Sequence, residues 1–251
     1  MILNLPPPHN FKGGANYPDR GGFPKTGTTS LLKNLCLENE VDMPSYEVQP
    51  SKLSLLRWRA ETGLLRGIKN PNLVYEPHNL LALIKSNHDL KVVLCLRDPV
   101  SWLHSFYEYR MKEISENAPW LRDRKPPESA IKQFSFSGLA HGEFEFLGVR
   151  RGAGFYVDYL RYYKEHIDKK NLFLVFLEDL AENPNKCYRS LYNFLEIRAS
   201  PPNSPSVANS NSKKTSAQTK DFDFLSEFYK TKNEELWEFI KSEYGIHQRF
   251  W

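Results

Sequence analysis

Apolar positions along this chain fall either in short continuous runs or at helical spacing. Residues 64–69 and 90–96 are two short, mostly apolar runs, and the second, L-K-V-V-L-C-L, is interrupted by Lys91 and carries β-branched Val92 and Val93. Leu172 to Leu177, L-F-L-V-F-L, is a third. Short runs without alternation predict strands covered on both faces, as in a parallel sheet. Helical spacing appears at Leu31, Leu32, Leu35 and Cys36, again at Leu80, Leu81, Leu83 and Ile84, and from Val100 to Lys112. Residues 154–166 read as an aromatic helix. Pro184 suits a first helical turn, and Cys187, Leu191, Phe194 and Leu195 give that helix its apolar stripe. Phe222 to Tyr244 reads as one amphipathic helix or a pair.

Strands alternating with helices predict an α/β fold of one domain, with a central parallel sheet flanked by helices. No internal repeat and no domain boundary is visible. Residues 1–21, rich in Pro, Gly and Asn, are expected to be irregular. Residues 115–153, polar and broken by Pro119, Pro126 and Pro127, are expected to be a variable excursion. The Ser/Asn/Pro/Lys-rich stretch 199–220 is expected to be a mobile loop.

Composition narrows the class. The chain has 251 residues, 40% hydrophobic and 25% charged, which is globular usage. No window approaches the ~20 apolar residues of a membrane span. The formal net charge of +4 is spread along the chain. It points to an anionic ligand rather than to nucleic acid. Three cysteines lie far apart without CxxC spacing, and seven histidines show no metal spacing, so neither a disulfide framework nor a zinc site is expected. No basic stretch leads into an apolar core at the N-terminus, which gives a cytoplasmic expectation.

The chemistry begins at Gly22 to Thr29, G-F-P-K-T-G-T-T, a glycine-containing loop that opens a helix. Backbone N–H groups and the helix dipole at such an end favour an anion. Lys25 adds a cation and Thr26, Thr28 and Thr29 add hydroxyls around Gly27. The bland alternative is a Gly/Thr turn capping an ordinary helix. The pattern is P-loop-like but lacks the G-K-[ST] ending of a Walker A loop, because Lys25 precedes Gly27. A loop of this kind is normally fed by a buried strand, whereas residues 13–21, G-G-A-N-Y-P-D-R-G, are polar. The run 91–96 leads directly into Arg97-Asp98-Pro99, with Ser105 on the following helix. Arg97 thus leaves the carboxyl end of a parallel strand, where open α/β sheets bind ligands. An Arg fork with a hydroxyl suits a terminal phosphate. A surface ion pair with Asp98 and a solvated helix serine are the bland readings.

P-K-T-G-T-T-S-L at Pro24 to Leu31, together with L-R-D-P at Leu96 to Pro99 and Ser105, resembles the two cofactor motifs of sulfotransferases. That family uses 3′-phosphoadenosine 5′-phosphosulfate (PAPS). The resemblance implies that Lys25, Thr26, Gly27, Thr28 and Thr29 bind the phosphosulfate, and that Arg97 and Ser105 bind the 3′-phosphate. Gly154-Phe155-Tyr156 with Leu160, Glu178-Asp179-Leu180, Asn183-Pro184 and Phe194-Leu195 is similar to the heparan-sulfate branch. Ser212-Lys213 resembles the start of that branch's S-K-G-R loop, which closes over the nucleotide, with Lys214 in place of the Gly. The sulfotransferase domain is expected over 22–251.

Sulfuryl transfer needs a base for the acceptor proton and cations for charge on the leaving oxygen. Lys25 and Lys69 are the candidate cations. Ile68-Lys69-Asn70-Pro71 resembles the family's E-K-T-P strand end, with Ile68 where the family has Glu. Glu47-Val48-Gln49 resembles the segment that carries the branch's catalytic glutamate, so Glu47 is the expected base. His78 and His104 follow, with Glu76 behind them. The aromatic residues Phe106, Tyr107, Tyr109, Phe155, Tyr156, Tyr159, Tyr162 and Tyr163 are expected to be mostly core.

The resulting expectation is a PAPS-dependent sulfotransferase acting on a hydroxyl or amine, with a carbohydrate acceptor implied by the branch and small molecules left open. The chemistry asks for no metal. A P-loop-like nucleotide kinase, with Asp98 as its magnesium-binding acid, is one alternative. A non-catalytic nucleotide-binding relative is another. Carbohydrate relatives work in the Golgi lumen, which keeps that compartment open beside the cytoplasm.

Overall fold

The computed structural model describes residues 26–44, 65–70, 73, 77–85, 90–118, 128, 131, 135–142, 151–201 and 219–251. The chain divides into two compact units, one drawn from 1–97 and 160–210 with Phe250, the other from 98–159 and 211–249 with Trp251.

In the first unit, α1 (Thr28–Leu35) leads to β1 (Val41–Asp42), β2 (Leu65–Arg66), α2 (Pro77–Lys85) and β3 (Val92–Leu96). The chain returns to it for β4 (Leu172–Phe176), α6 (Leu177–Glu182) and α7 (Pro184–Leu195). Among the described residues the strands form two parallel pairs. β1 pairs with β2 through Val41↔Leu65 and Asp42↔Arg66. β3 pairs with β4 through five residues, from Val92↔Leu172 to Leu96↔Phe176. Every residue of β3 is buried, as its unbroken apolar run predicts. The two runs at 90–96 and 172–177 are therefore parallel partners. Leu177 is the exception, since it opens α6 instead of ending the strand. β1 has no counterpart in the sequence reading, because two residues carry no period.

The core of this unit joins Leu31 and Leu35 of α1, Val93 and Cys95 of β3, and Tyr188, Leu191, Tyr192 and Leu195 of α7. Ridges of α1 and α7 cover the β3–β4 pair, so helix formation there is fixed by burial of an apolar stripe.

In the second unit, α3 (Pro99–Ser115) and α4 (Phe136–His141) precede a 3₁₀ turn at Arg151–Gly154 and α5 (Tyr156–Lys164), which crosses between the units after Tyr159. α8 (Thr219–Tyr244) is one continuous helix of 26 residues. It packs on α3 and α4 through a stripe containing Leu225, Tyr229, Leu236 and Ile240. A Cβ on Gly154 would lie 2.9 Å from Tyr229 Cε1 and 3.0 Å from Pro99 Cβ, so the turn can approach α3 and α8 only with glycine there. Tyr229 donates its hydroxyl to the Arg151 carbonyl at 2.6 Å, which ties the same turn to α8. Part of the 115–153 stretch is thus helical, at α4, where Ser135 caps the first turn by accepting from Gly138 N at 3.0 Å. Residues 1–25 and 202–218 lie outside the described residues, and with them the expected irregular N-terminus and most of the expected loop 199–220.

Candidate functional site

The glycine loop enters α1 at Gly27, whose φ of +87° is left-handed. An L-residue is strained there. A Cβ on Gly27 would also meet Leu177 Cδ1 at 2.7 Å. Gly27 O accepts from Ser30 N at 3.0 Å and Leu31 N at 3.2 Å, so the α-helical ladder begins after Thr28 and Thr29. Their amides belong to the open N-terminal turn that every helix leaves. α1 has no side-chain N-cap and no acidic residue in its first turn. The positive end of its dipole is the kind of position that favours an anion. Thr26 is fully buried behind this turn, while Thr28 and Thr29 are half-buried.

Lys69 comes from elsewhere in the chain and reaches the same turn. It follows β2 and is only 6% exposed. Its Nζ donates to Thr29 Oγ1 at 3.0 Å. A buried ammonium needs such a partner, because desolvation without one is costly. Lys69 lines an apolar hollow with Leu31, Val93 and Cys95. Burial pushes the Cys95 thiol up from its ordinary value to about 11, and the nearby Lys69 charge partly offsets that rise. Asn70, next in sequence, is also buried and accepts from Leu73 N at 3.2 Å. It holds the chain turn that presents Lys69.

Arg97 stands half-buried at the carboxyl end of β3, in the first unit. The Asp98 carboxylate accepts from Val100 N at 3.3 Å, Ser101 N at 3.0 Å and Ser101 Oγ at 2.6 Å. With Pro99 at the first helical position, Asp98 is the N-cap of α3. Ser105 is half-buried on α3, in the second unit. His104 sits in an aromatic cluster, edge-on to Phe136 at 4.8 Å and 5.3 Å from Phe222. Its Nε2 is 4.0 Å from Glu108. Its ring is thus packed among aromatic side chains. Phe106, Tyr156 and Tyr163 are core residues, as their helical spacing predicts, whereas Tyr162 is 38% exposed.

Structure thus brings together Thr26, Gly27, Thr28, Thr29 and Lys69. Lys25, Glu47, Glu76, Ser212 and Lys213 lie outside the described residues, as does the side chain of His78. The link from Lys69 to Thr29 is the feature that local sequence does not announce, because its two ends share no motif. Among the described residues no group of three His, Cys, Asp or Glu is placed to hold a metal ion. No described helix is long and apolar enough to cross a membrane.

Residues 21–246 match the family model of the sulfotransferase domain. The chain belongs to this family. Its family domain runs across both compact units, and the mixed α/β architecture with parallel strand pairs is that of a sulfotransferase fold. Among solved structures this sulfotransferase is similar to a sulfotransferase from Alicyclobacillus acidocaldarius, with a TM-score of 0.60 and 18% identity. That match covers 90% of this chain and 96% of the other. At this identity the likeness bears on fold alone. No curated protein sequence matches the chain.

The residues present in this sulfotransferase fit a phosphate-bearing donor. A glycine-bearing turn without a side-chain cap, two threonine hydroxyls and a buried ammonium meet at one helix end, and together they can hold a phosphate or sulfate group.

Proposed function

We propose that this sulfotransferase moves a sulfuryl group from PAPS to a hydroxyl or amine of a carbohydrate acceptor, as in the heparan-sulfate branch its motifs resemble. The observation that carries the reading is the hydrogen bond from Lys69 to Thr29 at the open end of α1. Two residues assigned to the donor from separate motifs meet there.

In this reading Lys25, Gly27, Thr26, Thr28 and Thr29 hold the phosphosulfate. Arg97 and Ser105 take the 3′-phosphate, and Ser212 and Lys213 cover the nucleotide. PAPS supplies an activated sulfuryl group. Glu47 takes the acceptor's proton as the new bond to sulfur forms. Lys25 and Lys69 meet the charge that grows on the phosphate oxygen as its bond to sulfur breaks.

The test has two arms. Calorimetry should give much tighter binding of 3′-phosphoadenosine 5′-phosphate than of 5′-AMP, and Arg97→Ala should cost that preference at least about tenfold, since charge-assisted bonds to phosphate are worth ~1.5–3 kcal/mol each. Labelled sulfate from PAPS should pass to a carbohydrate in a panel that also holds phenols and alcohols. Equal affinity for the two nucleotides would overturn the 3′-phosphate assignment. Preference for ATP with magnesium would favour a kinase. Nucleotide binding without transfer to any acceptor class would favour a non-catalytic relative.

A further inference from the structure

Thr29 has a chemical position that the phosphate-loop motif does not explain. Its hydroxyl is bonded to Lys69 Nζ at 3.0 Å, across forty residues of sequence. An ammonium can only donate, so Thr29 Oγ1 is the acceptor. A hydroxyl has one proton and two lone pairs. With a lone pair committed to Lys69, the hydroxyl proton turns away from the ammonium, and Thr29 belongs to the first, open turn of α1. Lysine carries a flexible four-carbon stem with large rotamer freedom. Burial of Lys69 to 6% exposure and its bond to Thr29 restrict that freedom before any ligand arrives.

We propose that Thr29 is a positioning residue for Lys69: it holds the ammonium at the open end of α1 and gives its own proton to the same bound anion. Cation and hydroxyl then work as one unit. A threonine in the loop is doing more than donating to phosphate, and Lys69 acts from a fixed place. The inference rests on α1's N-terminus being the donor site.

The experiment is a cycle of Thr29→Val, Thr29→Ser and Lys69→Met in the full chain. Its first readout is turnover with labelled PAPS. Thr29→Val removes the hydroxyl at constant shape and should lower turnover about tenfold, the scale of one hydrogen bond to a charged group. Thr29→Ser should restore it. Thr29→Val should cost less in the Lys69→Met background than in the wild type, because part of the hydroxyl's effect passes through the ammonium and only its own bond to the anion is left to lose. The acceptor's KM should stay unchanged throughout. A Val variant as fast as the Ser variant, or losses that multiply in the double variant, would overturn the proposal.

The second readout is urea unfolding of the wild type, the Thr29→Val and Lys69→Met variants and their combination, which needs no nucleotide. Coupling between Thr29→Val and Lys69→Met supports the pairing, and strict additivity overturns it. A wild-type chain that binds no 3′-phosphoadenosine 5′-phosphate yet shows coupled unfolding would overturn the donor reading while leaving the Thr29–Lys69 pair intact.

Discussion

Asn34 on α1 and Tyr188 on α7 are joined by a hydrogen bond of 2.6 Å from Asn34 Nδ2 to the Tyr188 hydroxyl. The same hydroxyl donates to Ser30 O at 3.1 Å, and Asn34 Nδ2 also donates to Ser30 O at 2.8 Å. The triangle is buried, and it ties the helix behind the glycine loop to the far end of the first unit's sequence. Burial raises the Tyr188 phenol well above its ordinary value, with Asn34's bond partly opposing the rise, so the group stays protonated and able to donate.

Tyr188→Phe should therefore destabilise the protein by ~1–3 kcal/mol, the cost of leaving buried polar partners unsatisfied. Urea unfolding with an unchanged m-value would show this as a lower midpoint. A midpoint equal to wild type would mean that the triangle contributes nothing net.

Gly27→Ala should strain the turn at the head of α1. A residue with a Cβ pays roughly 1–2 kcal/mol in the left-handed region. Leu177, whose Cδ1 is 2.7 Å from the Cβ position, can swing away, so the backbone cost dominates. Unfolding should show the loss in stability, and calorimetry should show weaker binding of 3′-phosphoadenosine 5′-phosphate, since Thr28 and Thr29 follow directly. Full affinity in the Ala variant would show that this turn does not touch the nucleotide.

Glu47→Gln separates chemistry from binding. A general base typically contributes ~10²–10⁴-fold, so turnover should fall by that range while PAPS affinity stays close to wild type. Glutamine keeps size and hydrogen bonding. Near-normal turnover with a confirmed acceptor would place the base elsewhere, with His78 next to test. His104 is a weaker candidate because its ring is packed against Phe136 and Phe222.

The buried thiols give a pH prediction. Burial raises Cys95 from 9.0 to about 11. Cys187 rises from 9.0 to about 12, by burial first and then by the charges of Asp179 and Cys95. In the unfolded chain both ionise near their ordinary value, so between pH 9.0 and about 11 the unfolded state binds fewer protons than the folded one. Stability should be intact below pH 9 and should fall as pH rises through this window, by ~1 kcal/mol per unit for each thiol. Cys95→Ala should flatten the slope, while costing stability at all pH values by leaving a cavity. Maleimide should label half-buried Cys36 first, and the other two only on unfolding.

Much of the frame was legible where one signal sufficed. β3 is an unbroken apolar run, and the Asp98-Pro99 pair that ends it is both a cap and a first-turn proline, so strand, boundary and α3 follow from nine residues, 92–100. α7 was equally clear, from Pro184 and the stripe through Cys187 and Leu191. β1 was not, because Val41–Asp42 is too short for periodicity, and it exists only through pairing with β2. α4 was hidden inside a proline-broken polar stretch, although Ser135 ahead of Phe136, Leu139 and Ala140 is a cap with an apolar face. Division into two units left no trace, since the chain crosses between Arg97 and Asp98, within one motif. At the site, residue types were readable and partnership was not: nothing local to Lys69 names Thr29 as its acceptor.

The parallel pairing of β3 with β4 also sets the order of assembly. Val92 must find Leu172, so all of residues 97–171 are synthesised before the register can close. Closing so long a loop costs entropy before contacts repay it, and non-local parallel pairing folds slowly. Until β4 emerges, β3 is an apolar segment with an open edge, prone to pair with other chains. Residues 97–171 thus set an interval in which β3 can associate with other chains. Cooler expression, which weakens apolar association, should raise the soluble fraction.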